Sequence, residues 1–115
     1  LSAVRKALAS EGFGVLTEID FKATLKAKLD VDFRKYVILG ACNPPFAHEA
    51  LKEEERIGLM LPCNVLVQES DGGVKVAAID PVASMQAVDN PALGELGAEV
   101  RRKLALAVER VGEAA

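Results

Sequence analysis

The chain has 115 residues with a formal net charge of −3; 50% of them are hydrophobic and 27% charged, with 9 Gly and 5 Pro. That balance excludes collagen-like, low-complexity and disordered classes, and a chain this long buries roughly two thirds of its unfolded surface without a metal or disulfide staple. The acidic balance leaves no basic footprint for nucleic acid or an anionic membrane, and 4 Phe, 1 Tyr and no Trp offer little stacking surface for bases or sugars.

No apolar run approaches the ~18 residues of a membrane span, and no signal-peptide pattern opens the chain, which starts at Leu1 rather than Met. Cys42 and Cys63 are too few for a disulfide scaffold and lack zinc-finger spacing, so two free, buried thiols in a reducing cytosol are expected.

Leu1, Val4 and Leu8 recur at helical spacing, and Glu11-Gly12 supplies a stop with a glycine for a left-handed cap. Phe13, Val15, Thr17 and Ile19 then alternate with Gly14, Leu16, Glu18 and Asp20, which predicts a strand with one well-buried face. Asp20 can cap a short second helix ending around Asp30, in which Phe21, Leu25 and Leu29 lie four apart while Lys22, Lys26 and Lys28 face water. The continuous apolar run from Tyr36 to Ala41 reads as a central strand buried on both faces. Strand, helix and strand in succession predict a right-handed crossover and at least one parallel pairing.

Asn43 followed by Pro44-Pro45 reads as a cap and a first turn of helix three, with Phe46, Ala47, Ala50 and Leu51 inward and Glu49 and Lys52 to Glu55 outward. From Gly58 to Glu69 the chain reads as a strand interrupted at Pro62, which implies an edge, a bulge or a bend. Ser70-Asp71-Gly72-Gly73 is a hairpin turn, Val74, Val76 and Ala78 form the returning strand, and Val82 to Asp89 is a connector. Asn90-Pro91 opens the longest helix, whose apolar stripe is Leu93, Leu96, Val100, Leu104, Val108 and Val111, with Glu99 and Lys103 paired on the wet face. No repeat or linker divides residues 1–115, which read as one α+β domain.

Two similar tripeptides stand out, Ala41-Cys42-Asn43 and Pro62-Cys63-Asn64. A thiol beside a helix N-terminus feels unpaired amides and the positive end of the dipole, which would favour thiolate at Cys42. His48, further along the same helix, is then a candidate base or co-ligand. Against this stands the commonest fate of a free cysteine, a small buried hydrophobe, and the commonest fate of a lone helical histidine, facing solvent. Asn43 is most simply a helix cap. Asn64, inside an apolar strand, needs hydrogen-bond partners if buried, because an unpaired buried amide costs roughly 1–3 kcal/mol. The two Cys-Asn pairs could meet at one end of the sheet to form a polar corner for a small anionic or carboxylate ligand. Three potential ligands at non-standard spacing give no metal site, and no cofactor motif, carboxylate pair, nucleophile elbow or phosphate loop is present.

The stretch from Gly12-Phe13 to Ile19, then Leu39-Gly40-Ala41-Cys42-Asn43-Pro44, Gly58 to Val65, and Asp80-Pro81 resemble the domain of unknown function family numbered 302, over nearly the whole chain. The resemblance implies a small bacterial or archaeal α+β domain with no established activity, and an additional strand ahead of the first helix.

The expected fold is therefore a two-layer α+β sandwich: a mixed sheet of four strands, or five with that additional one, containing a β-hairpin and packed against helices that include a long C-terminal one. Strands and a final helix this apolar suggest more buried surface than a small monomer needs, so a homodimer is expected. Three functions are in contention. The first is a small-ligand-binding or sensing module using Cys42, Asn43, Cys63, Asn64 and His48. The second is a structural or partner-binding module without catalysis, and the third a thiol-dependent redox enzyme with Cys42 as nucleophile.

Overall fold

The computed structural model describes residues 1–85, 90–91 and 93–114. In chain order these form α1 (Ser2–Ser10), β1 (Gly14–Asp20), α2 (Phe21–Leu29), β2 (Tyr36–Cys42), α3 (Pro44–Glu53), a 3₁₀ segment (Glu55–Met60), β3 (Cys63–Ser70), β4 (Gly73–Ala78), α4 (Pro81–Met85) and α5 (Leu93–Ala114).

Local chemistry explains most of the boundaries. Glu11 is the C-cap of α1, and Gly12 turns the chain with φ +85°, a conformation an L side chain resists. Asp20 caps α2 by accepting from the Ala23 amide at 3.0 Å, and Asp30 ends that helix in the left-handed region with φ 53°. Gly72, at φ +73°, makes the β3–β4 turn.

The four strands lie in the order β1-β2-β3-β4, and every neighbouring pair is antiparallel. The α+β class and long C-terminal helix agree with the sequence expectation; the mixed sheet and parallel pairing do not. The reason lies in α2. Only nine residues long, it buries none of them and touches the sheet through Phe21, whose ring meets Tyr36 edge-on at 5.9 Å. It sits at the end of β1 and β2 instead of spanning the sheet, so the chain reverses direction as it re-enters. Leu29, expected inward, is 66% exposed.

The covered face carries three cross-strand rows: Val15, Ala41 and Cys63; Leu39, Val65 and Ala78; Val37, Val67 and Val76. Against them pack Val4, Ala7 and Leu8 from α1 and Val100, Leu104 and Ala107 from α5, forming one continuous core. A satellite core joins Ala50 of α3, Ile57 of the 3₁₀ segment and Leu93 at the start of α5. The expected stripe of α5 is therefore the inward one, buried at Leu93, Val100 and Leu104 and half-buried at Leu96, Val108 and Val111, and Glu99 bonds to Arg102 while Lys103 adds a Coulombic attraction. On α3, Ala50 is buried but Leu51 is 48% exposed, against expectation.

Among the described residues the opposite sheet face carries no helix layer beyond the start of α2, whose Phe21 meets Tyr36 at its end. Here β1 departs from its predicted alternation. The register slips between Val15 and Thr17, leaving Leu16 as the extra residue of a bulge. One added residue inverts the pleat, so Val15 faces the core while Thr17 and Ile19 emerge on the open side. Likewise β2, which reads as buried on both faces, buries Leu39 and Ala41 fully and leaves Ile38 only half-buried. The predicted Gly58–Glu69 strand resolves into the 3₁₀ segment, a cis Leu61–Pro62 peptide, and β3 beginning at Cys63. The expected connector from Val82 begins inside α4; its residues 86–89 lie outside the described part.

Candidate functional site

Antiparallel pairing brings the end of β2 to the start of β3: Ala41 is opposite Cys63 and Gly40 opposite Asn64. The two Cys-Asn motifs therefore do meet at one end of the sheet. Alternation then separates them again, because neighbouring residues in a strand point to opposite faces. Cys63 is buried on the helix-covered side, whereas the Asn64 side chain is exposed on the open side, while its backbone carbonyl accepts the Ile79 amide at 3.0 Å.

Cys42 and Asn43 reach the covered side because β2 ends there and the backbone turns into α3. Together with Cys63 they line a partly open cavity of about 20 Å³ bordered by Phe13, Phe46 and Val100, with Cys63 buried and Cys42 half-buried. One water needs roughly 10–15 Å³ by the same measure, so this space admits a single water-sized group. Both thiols are free. Burial pushes the pKa of each above the ordinary thiol value, and at Cys63 the neighbouring Cys42 adds to the effect. Loss of solvation disfavours the thiolate at both positions.

Prolines leave the start of α3 with few free amides. Pro44 and Pro45 occupy the first two helical positions and bring no N–H, and the Ala47 amide is spent on the Asn43 carbonyl at 2.9 Å. Asn43 holds the N-cap position, yet its side chain makes no capping bond. Instead its Nδ2 donates to the Glu11 carbonyl at 3.2 Å, tying the α1–β1 corner to the β2–α3 corner, with only 8% of the residue exposed. Gly12 makes room for that contact, since a Cβ there would lie 3.2 Å from the Asn43 amide nitrogen. The Arg110 guanidinium, 3.7 Å from the Glu11 carboxylate, adds α5 to the same corner.

Of the five sequence-predicted residues, Cys42, Asn43 and Cys63 thus line one cavity, while Asn64 and His48 do not. His48 is exposed on α3. Among the described residues, no group of three or more His, Cys, Asp or Glu side chains could hold a metal ion. No buried side-chain nitrogen or oxygen among them lacks a partner either. Phe13 and Phe46 are lining residues that sequence reasoning assigned only to packing; both flank the singled-out motifs, which was the available signal. Gly40, in the Leu39–Pro44 motif, has a role that only the tertiary contacts show. A Cβ at Gly40 would fall inside the contact distance of Thr17 Oγ1 and 2.7 Å from Pro62 Cγ, so the strand crossing requires a glycine.

The family model described as domain of unknown function DUF302 matches residues 1–111. The chain belongs to this family. Consistently, it is similar to the crystal structure of an uncharacterized conserved DUF302 protein from Bacillus stearothermophilus, with a TM-score of 0.88 and 32% identity. That likeness covers 96% of this chain and 86% of the other. No protein of curated function matches. No described helix of this DUF302 domain is long and apolar enough to cross a membrane.

Proposed function

We propose that this DUF302 domain is a non-catalytic interaction module, in which the thiol corner is core architecture and the work is done at the surface. The observation that carries this reading is the corner's own geometry. Its cavity has room for one water-sized group, both thiols are held protonated by burial, and the Asn43 amide is already engaged. A nucleophilic cysteine needs thiolate character and access, and burial works against both. Two free thiols suit a reducing compartment such as the cytosol.

The test is the alkylation rate of Cys42 against pH in the Cys63→Ala variant, folded and unfolded. Protection in the folded state, with a midpoint above the unfolded one, is the expected outcome. Fast reaction with a midpoint well below ~8.5 would sink this reading and restore the redox one.

A second reading, a small-ligand-binding or sensing module, has one observation in its favour: Cys42, Asn43 and Cys63 share a cavity. With two helix amides replaced by prolines and both thiols neutral, such a ligand is small and uncharged rather than a carboxylate. Amide shift changes confined to residues 41–43 and 63 on titration with small uncharged probes would favour it; carboxylate probes should leave them unmoved.

A further inference from the structure

The thiol corner brings two soft donors to one wall. Register sets Ala41 opposite Cys63, and β2 ends one residue later, so Cys42 lies diagonally across the strand pair from Cys63. Both side chains line the same cavity of about 20 Å³, and both are free thiols. Cys42 lies near enough to contribute electrostatically to the raised pKa of Cys63. Among the described residues no other titratable side chain lines that space. Its remaining wall is apolar apart from Asn43, whose side-chain nitrogen is spent on the Glu11 carbonyl.

The donor set decides which ion such a corner can hold. Structural zinc takes four ligands, and iron–sulfur clusters are likewise held by four. Among the described residues no group of three or more His, Cys, Asp or Glu side chains comes together, so neither fits. Calcium and magnesium need a shell of oxygens, which this wall does not offer. Thiolate sulfur selects soft ions, and Cu(I), a closed-shell cation, is satisfied by two thiolates in a linear arrangement. The cavity has room for one water-sized group, hence for one ion and not for a cluster. Cys42, half-buried, offers an arriving ion its first sulfur, and buried Cys63 completes the pair. The sequence expectation of no metal site rests on the donor count of tetrahedral ions. A two-coordinate ion needs only the pair that register brings together.

We propose that Cys42 and Cys63 form a two-coordinate site for one soft monovalent cation, Cu(I), held between their Sγ atoms. On binding, two S–H bonds break and two S–Cu bonds form. Both protons leave to solvent and copper stays Cu(I), so no electron is transferred. The centre then carries one negative charge, and α3, starting at Pro44, sets the positive end of a helix dipole beside it. This goes beyond the interaction-module reading without displacing it. A bound ion ties β2 to β3 and stabilises the corner as architecture, while recognition stays at the surface.

Anaerobic titration of the reduced full chain with Cu(I), in competition with a chromophoric Cu(I) chelator, tests the site. One ion per chain is expected, with thiolate-to-copper charge-transfer absorption in the ultraviolet and two sulfur neighbours in the copper X-ray absorption spectrum. Saturating Cu(I) should raise the thermal unfolding midpoint. Equimolar Zn²⁺ should leave the uptake unchanged, since two thiolates do not complete its tetrahedron. Cys42→Ala, at the half-buried position, should keep the fold by circular dichroism and lose the one-to-one uptake. Cys42→Ser, closer in shape to the native residue, should show the same loss without relying on the first variant. No uptake by the wild-type chain overturns the proposal. So does uptake that survives in either folded variant, one ion shared between two chains, or a spectrum with oxygen or nitrogen in place of the second sulfur. The alkylation experiment uses the metal-free chain. Fast alkylation would therefore overturn the interaction-module reading while the site stands, and failed uptake would overturn the site while that reading stands.

Discussion

Ile38 and Leu39 are adjacent in β2 and chemically almost equivalent, yet they belong to different surfaces. Leu39 is wholly buried beneath the helix layer, in a row with Val65 and Ala78. Ile38 lies in the row with Ile19, Leu66 and Ala77, on the side where, among the described residues, only the start of α2 reaches the sheet. Apolar character alone therefore does not assign a residue to the core of this chain. What assigns it is the parity of its position in the strand, combined with where the helices are anchored.

The comparison is broken most directly at Leu39. Leu39→Ala should cost about 2–5 kcal/mol, because the helices of α1 and α5 collapse only partly into the space vacated. Leu66→Ala, on the open face, should cost less than about 1.5 kcal/mol when measured by urea unfolding at high dilution. Equal losses at the two positions would mean that the open face is packed within the monomer.

Gly40→Ala sharpens the comparison from the open side. Its Cβ would press on Thr17 and Pro62, an overpacking that should cost about 1–3 kcal/mol in the same denaturation experiment. The two asparagines should also separate. Asn43→Ala removes the buried donor to the Glu11 carbonyl and should cost about 1 kcal/mol or somewhat more, while Asn64→Ala should stay within about 0.5 kcal/mol. A large loss at Asn64 and none at Asn43 would reverse the assignment of buried and exposed ends.

The smallest effect concerns pH. Burial raises the Cys63 thiol, so above pH ~8.5 the unfolded chain releases its thiol proton before the folded one does. The folded state then binds more protons, and stability falls as pH rises through the folded pKa. Below that range the contribution is fully present. Chemical denaturation across pH 7 to 10 should show a shallower alkaline decline in Cys63→Ala than in the wild-type chain, after each is normalised to its stability at pH 7. Parallel declines would place the thiol in water.

Much of this was legible locally. The glycine stop after α1, the end of α2 at Asp30, the Asp20 cap, the Asp71-Gly72 turn and the stripe of α5 act over a few residues, and the structure keeps all of them. Three readings failed for a common physical reason. The parallel crossover was inferred from element order, but nothing in the order says that α2 is too short and too exposed to cover the sheet. The buried face of β1 was inferred from alternation, and the bulge at Leu16 inverts that alternation without leaving a clear mark in composition. Asn43 reads as a cap because it precedes Pro44-Pro45, while its better partner, the Glu11 carbonyl, lies 32 residues away in sequence.

The candidate corner divides along the same line. Two Cys-Asn motifs could be found by eye, and their meeting at one sheet end could be posed as a question. The answer required register: pairing Ala41 with Cys63 places the thiols on one cavity and sends Asn64 to the other face. By itself the sequence determined the elements, their caps and turns, and the total amount of apolar surface, because these depend on neighbours within about one helical turn or one pleat. Tertiary structure alone decided which apolar residues are covered, which polar ones are paired and which thiols share a wall. Those outcomes depend on the strand register and on the placement of α1, α3 and α5, which are set by contacts between residues far apart in the chain.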